Sequence, residues 1–163
     1  MDPNINETEK LHEEIRQLKE QVDQYENLIK EISAPVIPSI VPDTILIPIV
    51  GRLYPERFDA IISKILSVSS SQETNTVIID FSAITKNEIG ELEVFEEYIN
   101  HINSALTLMG AQTLYVGFTP AVTQALVHSG LQSIKELHTF STFRTALAYL
   151  MDEKGIEFKS TDA

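Results

Sequence analysis

Leu11, Ile15, Leu18, Val22, Tyr25, Ile29 and Ile32 recur at alternating spacings of four and three. That is the heptad seam of a coiled coil, with Ile15, Val22 and Ile29 at the a positions and mainly Leu or Tyr at d. A β-branched residue at a with Leu at d favours a parallel two-stranded coil. Between the seam residues nearly everything is charged or amide, including Glu13, Glu14, Arg16, Gln17, Lys19, Glu20 and Gln21. The stripe is too narrow for a helix packed on a globular core. A dimerising helix over about Thr8–Ile32 is the expectation, ended at Ala34-Pro35 because a residue before proline is pushed out of the α region.

Beyond it the periodicity changes. Pro35, Pro38, Pro42 and Pro48 punctuate two extended segments, Val36–Val41 and Thr44–Leu53. Prolines sit at strand edges or ends, so the first is predicted as an edge strand and the second as more buried. Pro55 suits a first helical turn, and Phe58, Ile61, Ile62, Ile65 and Leu66 give that helix one apolar face. Ser67–Asn75 reads as a polar loop. Val77, Ile78 and Ile79 then form a central strand buried on both faces. A long helix over Ile89–Met109 follows, with Asn87 as its N-cap, Glu88 and Glu91 at the positive end of its dipole, and Gly110 as its stop. Gln112–Phe118 is another strand. Thr119-Pro120 opens a short helix running to Gly130, Ile134–Phe140 is a short strand, and Ser141 caps a last helix through Phe143, Leu147 and Leu150.

The expected order is helix, β, β, α, β, α, β, α, β, α, which implies an α/β domain with a mostly parallel or mixed sheet and right-handed crossovers. Residues 1–34 are assigned to the coil, 35–152 to the domain and 153–163 to a polar tail. The loop after Asp80 then falls at the carboxyl edge of the sheet, where such folds place functional groups.

Charge and composition narrow the function. Twelve Lys and Arg stand against 24 Asp and Glu, a net charge of −12. Basic residues this scattered do not make a phosphate-binding surface, so nucleic acid is not an expected partner. With no cysteine, disulfides, thiol catalysis and Cys-ligated zinc are excluded. No apolar run approaches a membrane span, nor is there a basic-then-apolar leader, and a soluble cytoplasmic protein is expected. His12, His101, His128 and His138 occur in separate elements; no metal spacing, nucleophile elbow or phosphate loop is present. Asp80 has no acid–base partner beside it in sequence and is read as a hydrogen-bond acceptor at the strand–loop junction. Neither enzyme activity nor a cofactor is expected.

Several motifs coincide in order: Val50-Gly51, Ile78-Ile79-Asp80-Phe81-Ser82, Leu108-Met109-Gly110-Ala111, Leu114-Tyr115-Val116-Gly117-Phe118, Thr119-Pro120 and His128-Ser129-Gly130-Leu131. From about Pro35 to Leu150 the set resembles the STAS domain (sulfate transporter and anti-sigma factor antagonist). Pro35-Val36-Ile37-Pro38 and Ile47-Pro48-Ile49-Val50-Gly51 are especially similar to RsbR-type stressosome proteins. The resemblance implies about five strands and four helices, and a Ser or Thr after the central strand that a GHKL-type switch kinase phosphorylates. At that place this chain carries Asn87, Glu88, Ile89 and Gly90, with no hydroxyl in either register. Ser82 and Thr85 are the alternative acceptors nearby. A second family phospho-site region maps to Gly51–Pro55, including Arg52 and Tyr54, again without Ser or Thr. Glu88 is readable as a permanent stand-in for phosphate or as an ordinary first-turn acid. The resemblance implies a non-enzymatic scaffold or regulator of a stress-response sigma-factor pathway. It would pair through its coil and bind other STAS proteins or the switch kinase. A module binding a small ligand, such as a nucleotide or lipid, is the alternative.

Overall fold

The computed structural model describes residues 3–71, 73–128 and 136–161. The chain divides into two compact units, Met1–Ile32 and Ser33–Ala163. The first is a single helix, α1 (Pro3–Ile32), which starts five residues before the expected Thr8, with Pro3 in the first turn where its missing N–H costs nothing. None of its residues is buried, and all seven seam residues are 38–63% exposed. Arg16 bridges Glu13 and Glu20, both at 2.6 Å. These three lie at b and f positions, on the side of the helix away from the seam. The paired guanidinium holds the Glu13 carboxyl down to about 2.

The second unit holds β1 (Ile37–Pro38), β2 (Thr44–Pro48), α2 (Pro55–Ser71), β3 (Thr76–Asp80), α3 (Lys86–Ile89), α4 (Leu92–Leu108), β4 (Gln112–Val116), α5 (Pro120–His128), β5 (Thr139–Phe140) and α6 (Phe143–Lys154). Five strands pair in chain order, β1-β2-β3-β4-β5, with β1 antiparallel and the rest parallel. Because parallel crossovers are right-handed, a sheet wound steadily in one direction puts α2, α4 and α5 on one face. The side chains follow that rule. Ile45, Ile47, Val77, Ile79 and Tyr115 point into a large core with Phe58, Ile61, Ile65, Phe95, Ile99, Leu106 and Val122. The intervening Ile78, Leu114 and Val116 point the other way, onto Ala146 and Leu150 of α6.

Several boundaries differ from the sequence reading. The serines of 67–71 continue α2 instead of forming a loop; apolar Ile65 and half-buried Leu66 and Val68 carry the helix face past them. The expected helix over 89–109 is two helices, because Gly90 (φ 73°, ψ −132°) lies outside helical space. The cap moves accordingly: Thr85, not Asn87, is the N-cap of α3, and Glu91 is that of α4. Likewise Thr142, not Ser141, caps α6, through a reciprocal pair of bonds with Thr145. The strands are shorter than expected, β1 and β5 having two residues each. Gly130 and Ile134 lie outside the described residues. The edge position of the Pro38 strand, the Thr119 hydroxyl accepting from Val122 N–H at 3.3 Å, and Gly110 at φ 80° after α4 agree with the sequence.

Candidate functional site: the carboxyl edge of the sheet

Three connections leave the carboxyl ends of β2, β3 and β4, and backbone bonds lock them together. Ile49 N–H donates to Asp80 O at 2.8 Å, and Phe81 N–H to Val116 O at 2.9 Å. Beneath them, Phe81 stacks on Phe118 with ring centroids 5.2 Å apart, and Phe95 meets Phe81 edge-on at 5.7 Å. Such contacts add to the burial of the rings themselves, so the edge is anchored on a packed aromatic base. Tyr115, fully buried in the same cluster, has its phenol pushed well above the usual range by burial.

Asp80 ends β3 as an acceptor, as its sequence position implies. Its Oδ1 receives the Ser82 N–H at 2.8 Å and the Ser82 hydroxyl at 2.5 Å, closing an Asx-type turn. Gly117 presses against that turn. With φ at +79°, a Cβ there would lie 2.1 Å from Ser82 Oγ and 2.8 Å from Asp80 Oδ1, so only glycine fits.

At the next step Thr85 and Glu88 form a capping box. The Glu88 carboxylate receives the Thr85 N–H at 2.6 Å and also the Thr85 hydroxyl, whose oxygen accepts from Asn87 N–H at 3.4 Å. These bonds, chiefly to Thr85, hold the Glu88 carboxyl below its usual range, and the positive charge of Arg52 adds to the effect. The carboxylate is therefore turned back onto its own helix start. Ile89 is buried at 3% exposure and roots α3 in the core, whereas Asn87 and Gly90 face outward.

The β2–α2 connection lies alongside. Leu53 N–H donates to Glu88 O at 2.7 Å, and Leu53 O lies 3.6 Å from where a Cβ on Gly90 would be. Tyr54 opens α2 with its carbonyl, which accepts from Arg57 N–H and Phe58 N–H at 3.0 Å. The structure thus brings together the two regions around Arg52 and Tyr54 and around Asn87–Gly90, with Ser82 and Thr85 on the intervening loop. The seam residues of α1 belong to the other unit. Sequence reasoning did not single out Gly117 or Arg57. A glycine directly after an apolar strand, and an arginine one residue before an apolar helix face, are the signals that mark them.

The histidines remain apart. His12 and His128 each donate Nδ1–H to the carbonyl four residues back, at 2.8 and 2.7 Å. Among the described residues there is no cluster of three acidic, His or Cys side chains that could hold a metal ion, and no helix long and apolar enough to cross a membrane.

No family model matches the chain. Two curated relatives from Bacillus subtilis (strain 168) do: the RsbT co-antagonist protein RsbRA, 27% identical over 63% of the chain, and RsbRB, 26% identical over 69%. These stretches span 36% and 39% of the relatives' own lengths. Among solved structures, a Moorella thermoacetica RsbS variant superposes with a TM-score of 0.60 at 19% identity, covering 76% of this chain and 98% of its own. A chain from the molecular architecture of the stressosome gives 0.57 at 18% identity over 74% and 98%. The five-stranded sheet, its one-sided crossovers and the helix that starts after β3 are those of the STAS fold. The chain is similar in sequence to the RsbR co-antagonists, and its second unit has the STAS fold.

Proposed function

We propose that this chain is a non-enzymatic scaffold of a stressosome-like signalling assembly, paired through α1 and docking partners on the carboxyl edge of its STAS domain. The observation that carries the reading is the sequence similarity to two RsbT co-antagonists over 63% and 69% of the chain. On the edge, Asn87 and Gly90 are the outward contacts, Ile89 is their anchor, and Arg52 and Tyr54 flank them on the neighbouring loop. The partners are other STAS proteins and a GHKL-type switch kinase of the RsbT kind, and the site of action is the cytoplasm.

Switching differs from the family pattern, because no hydroxyl occupies the usual position. The Glu88 carboxylate is engaged with Thr85, which favours a helix-capping role over a permanent stand-in for phosphate. Ser82 and Thr85 are the hydroxyls a kinase would reach on this loop. Both bond carboxylates, so phosphorylation of either would set like charges together and open the loop. Mass spectrometry after kinase treatment decides whether that happens.

A paired stalk would raise the effective concentration of two domains for a multivalent assembly. Co-expression with RsbS-type and RsbT-type proteins, followed by mass measurement of the purified particle, tests the proposal. A particle in the megadalton range containing this chain supports it; a lone species with no companion protein refutes it.

A further inference from the structure

Among the described residues Arg57 is the charged side chain that is buried, at 6% exposure. Among the described residues no ion pair is seen at Arg57, unlike Arg16, which bridges Glu13 and Glu20. A guanidinium without a counter-charge is costly to bury, and burial lowers its pKa. An apolar residue would pack there more cheaply, as Phe58 and Ile61 do on the same helix. What the arginine supplies is a rigid two-pronged donor.

The two prongs join distant parts of the chain. Nε–H donates to Ser33 Oγ at 3.3 Å, and Nη1–H to the Arg52 carbonyl at 2.9 Å. Ser33, 1% exposed, is the first residue after α1. Arg52 precedes Leu53, whose N–H donates to Glu88 O at 2.7 Å. Hydrogen bonds and one peptide link therefore run from Ser33 through Arg57, Arg52 and Leu53 to Glu88. We infer that Arg57 is a positioning residue that couples the junction after α1 to the paired loops at the carboxyl edge, so that a disturbance at Ser33 loosens the hold of Leu53 on Glu88. This deepens the docking reading, on which its biological consequence rests, but the coupling is measurable with no partner present.

The test is residue-resolved amide exchange on the full chain. Ser33→Ala removes one acceptor and leaves Arg57 in place. The Leu53 amide is expected to exchange about five- to tenfold faster, the equivalent of one ordinary hydrogen bond, while the Leu114 amide in β4, off the route, changes by less than about twofold. Arg57→Lys keeps the charge but not the fork and should accelerate Leu53 alike. Adding Ser33→Ala to it should then do nothing more, the non-additivity that marks one connected route. Leu53 unchanged in Ser33→Ala, Leu53 and Leu114 accelerating together, or additive effects in the double variant each overturn the inference. Should Arg57→Lys fail to fold, Ser33→Ala decides alone. An intact Leu53 response in a protein that captures no companion would retain the coupling and remove the docking reading.

Discussion

Replacing Gly117 by alanine probes how tightly the β4–α5 turn is pressed onto the Asp80–Ser82 turn. Two costs combine. A left-handed backbone at φ +79° costs a residue with a Cβ about 1–2 kcal/mol. The new methyl would also sit 2.1 Å from Ser82 Oγ and 2.6 Å from Ser82 N, and relieving such overpacking costs about 1–3 kcal/mol. The sum is about 2–5 kcal/mol, or a fall in Tm of about 8–20 °C for a domain of this size. Gly155→Ala is the control. It too has positive φ, at +65°, but nothing lies within 4 Å of its Cβ, so it should lose only the backbone part. Urea unfolding followed by near-UV tyrosine circular dichroism, with Tyr25 of α1 replaced by phenylalanine in every protein compared, reads the STAS core through buried Tyr115. Equal losses in the two variants would refute the close approach of Gly117 to Ser82.

Glu88→Gln removes the carboxylate of the capping box. The folded-state pKa of Glu88 is depressed, so its contribution is present above the unfolded carboxyl value and lost as pH falls through the lower folded value. The Tm gap between wild type and Glu88→Gln should therefore be widest near pH 7 and close at strongly acidic pH in a thermal melt series; a gap independent of pH contradicts the assignment. Tyr115→Phe removes a long 3.5 Å bond to the Ile99 carbonyl and should cost no more than about 1 kcal/mol in urea titration, far less than truncation to alanine. Arg16→Ala breaks the Glu13–Arg16–Glu20 bridge on the outer side of α1. It should leave the sedimentation mass unchanged, whereas a loss of mass would place the seam elsewhere.

The sequence made the order of elements legible because period carries it: heptads in α1, β-branched runs in β2 to β4, and a three-four repeat in α4. Boundaries were less visible, since they depend on single caps and turns. Thr85 and Asn87 are both good N-caps, and only the reach of Glu88 back to Thr85 decides between them. Gly90 sat within a helical pattern from Ile89 onward, where a glycine reads as tolerated. Its φ of 73° goes with a turn beside the Leu53 carbonyl, a tertiary neighbour that periodicity does not encode. The serines at 69–71 have loop composition but stay helical because the preceding apolar face is already docked. The loop after Asp80 leaves the carboxyl end of a parallel strand, as the alternation of elements implied. The second half of the candidate edge, the Leu53–Glu88 and Arg57–Ser33 bonds, joins residues more than twenty positions apart, and no local pattern announces which residues pair.

The central claim is that α1 is a pairing helix, its seven apolar seam residues exposed in a single chain and covered by a second copy. Sedimentation equilibrium on the full chain tests it most directly. The account predicts a mass twice the 18.3 kDa of one chain, returning to the single-chain value when Leu18 and Val22 are both replaced by glutamate with the STAS domain still folded. A single-chain mass for the unaltered protein across the micromolar range would contradict it.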